Sequence, residues 1–129
     1  MQKIFDSSAV LAFLLDEPGS ETVRRDLPDG RMSAVNAAEV MTVLVRNKMP
    51  ASDARVALVN TGLTILDFGL EQAVRSLELL SSQLRSRGIS LGDRVCMAQA
   101  IAEDLPVVTA DRNWAGLSVS GLHVELIRD

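Results

Sequence analysis

The 129-residue chain has no tyrosine and only one cysteine, one histidine and one tryptophan. A lone Cys96 cannot close an internal disulfide and has no cysteine or histidine neighbour at metal-ligand spacing, so thiolate metal sites are excluded. His123 has no nearby catalytic partner and reads as a strand or surface residue. No stretch approaches the roughly 18 uninterrupted apolar residues of a membrane span. "MQKIF" meets Asp6 before any long apolar run, so a cytoplasmic protein is expected. There is no G-x-S-x-G, no G-x-x-x-x-G-K and no Rossmann glycine pattern, which leaves serine hydrolases and P-loop enzymes without support. A basic excess is also lacking. Thirteen Lys and Arg against 17 Asp and Glu leave a formal charge of −4, the wrong sign for gripping nucleic acid by bulk attraction. A nuclease is still compatible with that charge, because bound divalent cations reverse the field of an acidic cluster.

What the chain does have is a 47% hydrophobic composition drawn from Ala, Val, Leu, Ile and Met. That suffices for one domain, 1–129, with a real core. Strands are expected at "KIF", "RMSAV", "LTILDF", 106–110 and "HVELI". Between them lie helical patterns: "SSAVLAFLLDEPG" stopped by Pro18 and Gly19, "SETVRRDL", "NAAEVMTVLVRNKM" and "ASDARVALVNTG". A long amphipathic helix is expected in "LEQAVRSLELLSSQLRSRG", with Ala73, Leu77, Leu80 and Leu84 on one face and Gly88 as its stop. A further helix spans 92–104. Short strands alternating with helices predict an α/β sandwich, helices on both faces of a mostly parallel sheet. Ligands of such sheets sit beyond the carboxyl ends of the strands, where Asp6, Asp67 and Asp111 fall.

Each acid also has an ordinary explanation. Asp93 shares a helix face with Cys96, Met97 and Ala100, yet "SLGD" puts it three residues after Ser90, the spacing of a capping box. Asp6 and Asp111 could each cap the turn that follows a strand. Glu39 lies in a narrow polar stripe with Thr42 and Arg46 and could pair with Arg46 or reach solvent. It is the combination that points to chemistry. Two carboxylates about 6 Å apart repel by roughly 3 kcal/mol at an effective dielectric near 20, and a cluster of four rivals a typical fold stability of about 5–15 kcal/mol. Such a cluster must bind cations or protonate. Oxygen ligands alone suit Mg²⁺ or Mn²⁺, and those ions suit phosphodiester hydrolysis.

Along almost its whole length the chain resembles PIN-domain proteins, and specifically VapC-type toxin ribonucleases of bacterial toxin–antitoxin pairs. The resemblance rests on "IFDSSAVLAFLLDEPG", "MSAVNAAEVMTVLVRNK" and "SLGDRVCMAQAIAEDLPVVTAD", in that order and spacing. It implies a PIN-like α/β/α sandwich with a central, mostly parallel sheet of four or five short strands. It implies Asp6, Glu39, Asp93 and Asp111 as catalytic ligands of one or two Mg²⁺ or Mn²⁺ ions, supported by Ser8 and Asn36. Many relatives carry a further acid where this chain has Asn113, which can ligate through its carbonyl oxygen but brings no charge. Arg46, Arg94 and Arg112 are candidates for phosphate contact, with neutralising the acids or facing solvent as the alternatives. Trp114 either stacks on a base or packs a loop against the sheet. The pattern does not use Asp67. Implied partners are an RNA substrate, a VapB-type antitoxin and a second copy of the chain in a homodimer or a toxin–antitoxin hetero-oligomer, with no membrane. A PIN nuclease of RNA processing or DNA metabolism, or a catalytically silent PIN-like binding module, would share these residues. A receiver-type phosphoacceptor domain would also group acids at strand ends, but no strand-end Lys completes that site.

Overall fold

The computed structural model describes the backbone of residues 1–129 and every side chain except those of residues 82 and 83. Its sheet has strands β1 (Lys3–Phe5), β2 (Gly30–Ser33), β3 (Thr64–Leu66), β4 (Val107–Thr109) and β5 (Val124–Leu126). They lie in the order β3-β2-β1-β4-β5, and all four pairings are parallel. The expected sandwich is present, and its sheet is wholly rather than mostly parallel.

Period-2 alternation splits the core. Phe5 and Val108 point to one face, where α1 (Ser7–Leu14), α2 (Ser20–Asp26), α3 (Ala34–Arg46) and α4 (Ala51–Val59) supply Val10, Val23, Val40, Leu44 and Leu58. Ile4 and Val107 point to the other, against Cys96, Met97 and Ala100 of α7 (Leu91–Glu103) and Trp114. Right-handed crossovers account for the division. The connections from β1 to β2 and from β2 to β3 run one way along the sheet, and the connection from β3 to β4 runs back.

The expected helix through residues 70–88 is two helices, α5 (Leu70–Leu77) and α6 (Ser82–Ser86). Ser81 Oγ accepts from Leu84 N at 3.2 Å, so the serine pair starts a new helix inside the apolar pattern. Of the four residues expected on one apolar face, Leu77 and Leu80 are exposed, Ala73 is half-buried and Leu84 is buried. Leu70, Val74 and Leu77 are 82, 49 and 57% exposed, while Arg94 of α7 donates to the Ser76 carbonyl at 2.9 Å. The polar side of α5 therefore meets α7. Strand β2 ends at Ser33, two residues earlier than its pattern suggests, because Ser33 Oγ accepts from Val35 N and caps α3.

Candidate active site

Strand order reverses direction between β1 and β4, the switch point where a parallel sheet opens a crevice at its carboxyl edge. Asp6 follows β1, opposite Thr109 of β4 in the register set by Phe5 and Val108. By the same alternation that turns Ile4 and Val107 toward α7, Asp6 and Thr109 also point there. Asp111 comes two residues after Thr109, and the second turn of α3 and the first turn of α7 bring Glu39 and Asp93 to the crevice.

Asp6 is 3% exposed and accepts four hydrogen bonds. Its Oδ1 takes Ser8 N, Ser8 Oγ at 2.7 Å and Ala9 N at 3.3 Å, and its Oδ2 takes Thr109 Oγ1 at 2.7 Å. The two hydroxyls are themselves oriented from behind, since Ala110 N donates to Ser8 Oγ at 2.9 Å and Asp111 N to Thr109 Oγ1 at 3.0 Å. Burial pushes the Asp6 carboxyl up to about 6, against the lowering effect of the bonds from Thr109, Ser8 and Ala9.

The other three acids are half-buried. Asp93 does form the capping box, with Ser90 N to Asp93 Oδ2 at 3.0 Å and Asp93 N to Ser90 Oγ at 3.1 Å. Asp6 caps α1, and Asp111 Oδ1 accepts from Asn113 N at 2.9 Å to cap a short 3₁₀ turn, Arg112–Trp114. The ordinary reading of these acids is therefore correct and does not displace the other. Each cap uses one oxygen of Asp93 and Asp111, and the second oxygen has no hydrogen-bond partner among the described residues. Asp93 is raised by burial, opposed by its Ser90 bonds and reinforced by the charges of Asp111 and Glu39. Buried Cys96, beneath the crevice, has its thiol pushed up by desolvation and then by Asp6, Asp93 and Glu39.

Glu39 is held by Asn36, whose Nδ2 donates to Glu39 Oε1 at 2.9 Å and to the Gly92 carbonyl at 3.0 Å. A Cβ on Gly92 would lie 2.7 Å from Glu39 Cδ, so the glycine makes room for the carboxylate. The sequence reading passed over Gly92 and Thr109. The glycine's only sequence signal is its place beside Asp93, and the threonine's is two-residue spacing from Asp111.

Among the described residues no ion pair involves any of the four acids. Arg94 is turned to Ser76, while Arg46 and Arg112 are exposed. Asn113 is exposed and its Nδ2 donates to the Arg87 carbonyl. Trp114 is fully buried against Cys96 and Met97, so it packs the loop rather than offering a face to a base. Asp67 is exposed at the end of edge strand β3, two strands or about 10 Å from β1. His123 is exposed, just before β5.

By chemical type the donors suit a hard cation: four carboxylates, the Asn36 amide and two hydroxyls, with no Lys or Arg paired to the carboxylates among the described residues. Asn36 Oδ1 is also a buried acceptor with no partner. In the present rotamers no three acids among the described residues are gathered tightly enough to hold one ion.

An acid-lined crevice at the switch point of a parallel α/β sheet defines a class of site, and the wider comparisons supply the family. The chain belongs to the PIN domain family, whose match covers residues 3–119. Among solved structures it is similar to VapBC2 from Rickettsia felis bound to a DNA fragment from their promoter (TM-score 0.72, 19% identity, 98% of each chain covered). It is also similar to a toxin–antitoxin complex from Klebsiella pneumoniae (TM-score 0.69, 18% identity, 93% of this chain and 94% of that one). DNA-bound VapBC from Salmonella typhimurium matches with TM-score 0.67 at 18% identity over 98% of this chain and 99% of that one. No curated protein matches the sequence.

Proposed function

We propose that this chain is a VapC-type toxin, a metal-dependent endoribonuclease acting in the cytoplasm and restrained by a VapB-type antitoxin. Membership of the PIN family supports the nuclease reading. The observation that carries it is the set of four acids, Asp6, Glu39, Asp93 and Asp111, at the carboxyl edge of the sheet and on the adjoining helices, with no basic partner among the described residues. One or two Mg²⁺ or Mn²⁺ ions bound there would neutralise phosphodiester charge and activate water. Asp6 is the fixed member, its two oxygens held in place by four donors. Asp93 and Asp111 each keep a second oxygen for a ligand or a water proton, and Asn36 aims Glu39 toward them. Arg46 and Arg112 are exposed and available to RNA phosphates, whereas Arg94 would first have to leave Ser76.

Resemblance to VapBC complexes supports the antitoxin partner. So does an open, mostly apolar groove of about 530 Å³ lined by Ala38, Met41, Val45, Arg46, Ala51 and Ala54. The apolar stretch "AVLAFLL" is instead largely spent on the core, with Ala9, Val10 and Ala12 fully buried. No described helix is long and apolar enough to cross a membrane.

The test is RNA cleavage by purified protein with Mg²⁺, Mn²⁺ or EDTA, beside Asp93→Asn. Asparagine can still accept from Ser90 N, so the cap survives while the charge goes. Cleavage that needs metal and is lost in the folded variant supports the proposal. Equal behaviour of the two proteins, or no cleavage of any RNA, defeats it.

A further inference from the structure

The segment leading into α7 and the turn following β4 are joined by a two-way clamp. Arg87 Nη1 donates to the Asn113 carbonyl at 3.1 Å and the Ala115 carbonyl at 2.9 Å. In return Asn113 Nδ2 donates to the Arg87 carbonyl. Each end of the clamp sits beside a site acid. Arg87 precedes Ser90, whose backbone N–H holds Asp93 Oδ2 at 3.0 Å. The backbone N–H of Asn113 holds Asp111 Oδ1 at 2.9 Å. Buried Trp114 anchors the turn from below, and its backbone N–H donates to the Asp111 carbonyl at 3.1 Å.

We propose that Arg87 and Asn113 are positioning residues that set the separation of Asp93 and Asp111, with Asn113 serving the site as a donor to the backbone rather than as a metal ligand. The proposal rests on the four-acid reading of the site. Its logic lies in the direction of the bonds. A carboxamide can donate to the Arg87 carbonyl, whereas a carboxylate at position 113 would oppose acceptor to acceptor and open the clamp. Arg87 Nη1 carries two N–H groups, one for each of the two carbonyls it reaches. Without the clamp the two acids would depend on separate loops, and the uncompensated charges of Asp93 and Asp111 would drive those loops apart.

Two measurements on the full chain test this. In metal-free protein, amide hydrogen exchange of Arg87→Ala is expected to rise at residues 87–93 and 111–115 together, with β1 and α3 unchanged. No change in either segment, or a change in one alone, would overturn the clamp. Mn²⁺ titration followed by electron paramagnetic resonance supplies a readout that general loosening would not mimic. Asn113→Asp adds a negative charge next to the site, so at a ligand position it would tighten Mn²⁺ binding. The clamp instead predicts three- to tenfold weaker binding for both Asn113→Asp and Arg87→Ala, with the double variant no worse than the singles. Unchanged or tighter binding by Asn113→Asp defeats the assignment. A wild-type protein that binds no Mn²⁺ defeats the metal reading, while the exchange result still decides the clamp.

Discussion

The two ends of the acidic crevice are built in opposite ways. At the β1–β4 end, Asp6 is sealed, with both oxygens filled by donors that are themselves aligned by backbone N–H groups. At the α3–α7 end, Glu39 and Asp93 are half-buried, each held by one oxygen. Desolvation raises Asp6 even though its hydrogen bonds oppose it, and Asp93 feels its neighbours' charges as well. A site made this way has one rigid anchor and several adjustable arms. That suits the capture of an ion and a flexible phosphate better than four equally rigid groups would.

The sharpest way to break the contrast is at the anchor. Thr109→Val leaves both Asp6 Oδ2 and Asp111 N without their partner, and should cost about 2–3 kcal/mol in urea unfolding, while Thr109→Ser restores most of it. A loss below about 0.5 kcal/mol would mean that Asp6 is not sealed.

The pH dependence of metal-free stability tests the same end. Burial pushes the native Asp6 carboxyl up to about 6 from the ordinary aspartate value of 3.8. Between those values the folded state holds a proton that the unfolded chain has released, so this group makes stability fall as pH rises through the window. The cost is complete above about pH 6 and is on the order of 3 kcal/mol at most. Asp6→Asn should remove that slope and flatten the stability profile from pH 4 to 7.

At the open end, Gly92→Ala should push Glu39 out of the crevice. Overpacking of about 1–3 kcal/mol is partly offset by alanine's gain of about 1 kcal/mol in a helix. The expected result is a small change in melting temperature with at least a tenfold loss of Mn²⁺ affinity. Retained affinity would show that Glu39 is not needed there. Ser90→Ala removes a cap and should cost about 1 kcal/mol, seen as a lower urea midpoint with an unchanged slope. The smallest effect belongs outside the site: Leu77→Ser on the exposed side of α5 should stay within about 0.5 kcal/mol.

The sandwich, the five strands and the capping roles of Asp6, Asp93 and Asp111 were legible in the sequence, because alternation and capping residues are local signals. Even the rival explanation of Asp93 was legible, and the capping box "SLGD" is there. What local signals could not express was that one carboxylate can serve two purposes with two oxygens. The break between α5 and α6 was hidden for a related reason. The apolar spacing through Leu77, Leu80 and Leu84 runs across it, and only Ser81 capping Leu84 interrupts the helix.

The sequence by itself determined the chemistry available: acids without histidine or thiolate partners, spaced on strand ends and helix starts, in a chain with enough aliphatic residues for one core. Tertiary structure alone decided which groups share the crevice. It turned Arg94 away to Ser76, left Asp67 on the edge strand, buried Trp114, and enlisted Thr109 and Gly92. The physical reason is that hydrogen-bond partners and electric fields depend on distance in space, and the parallel sheet brings together residues as far apart as Asp6 and Thr109.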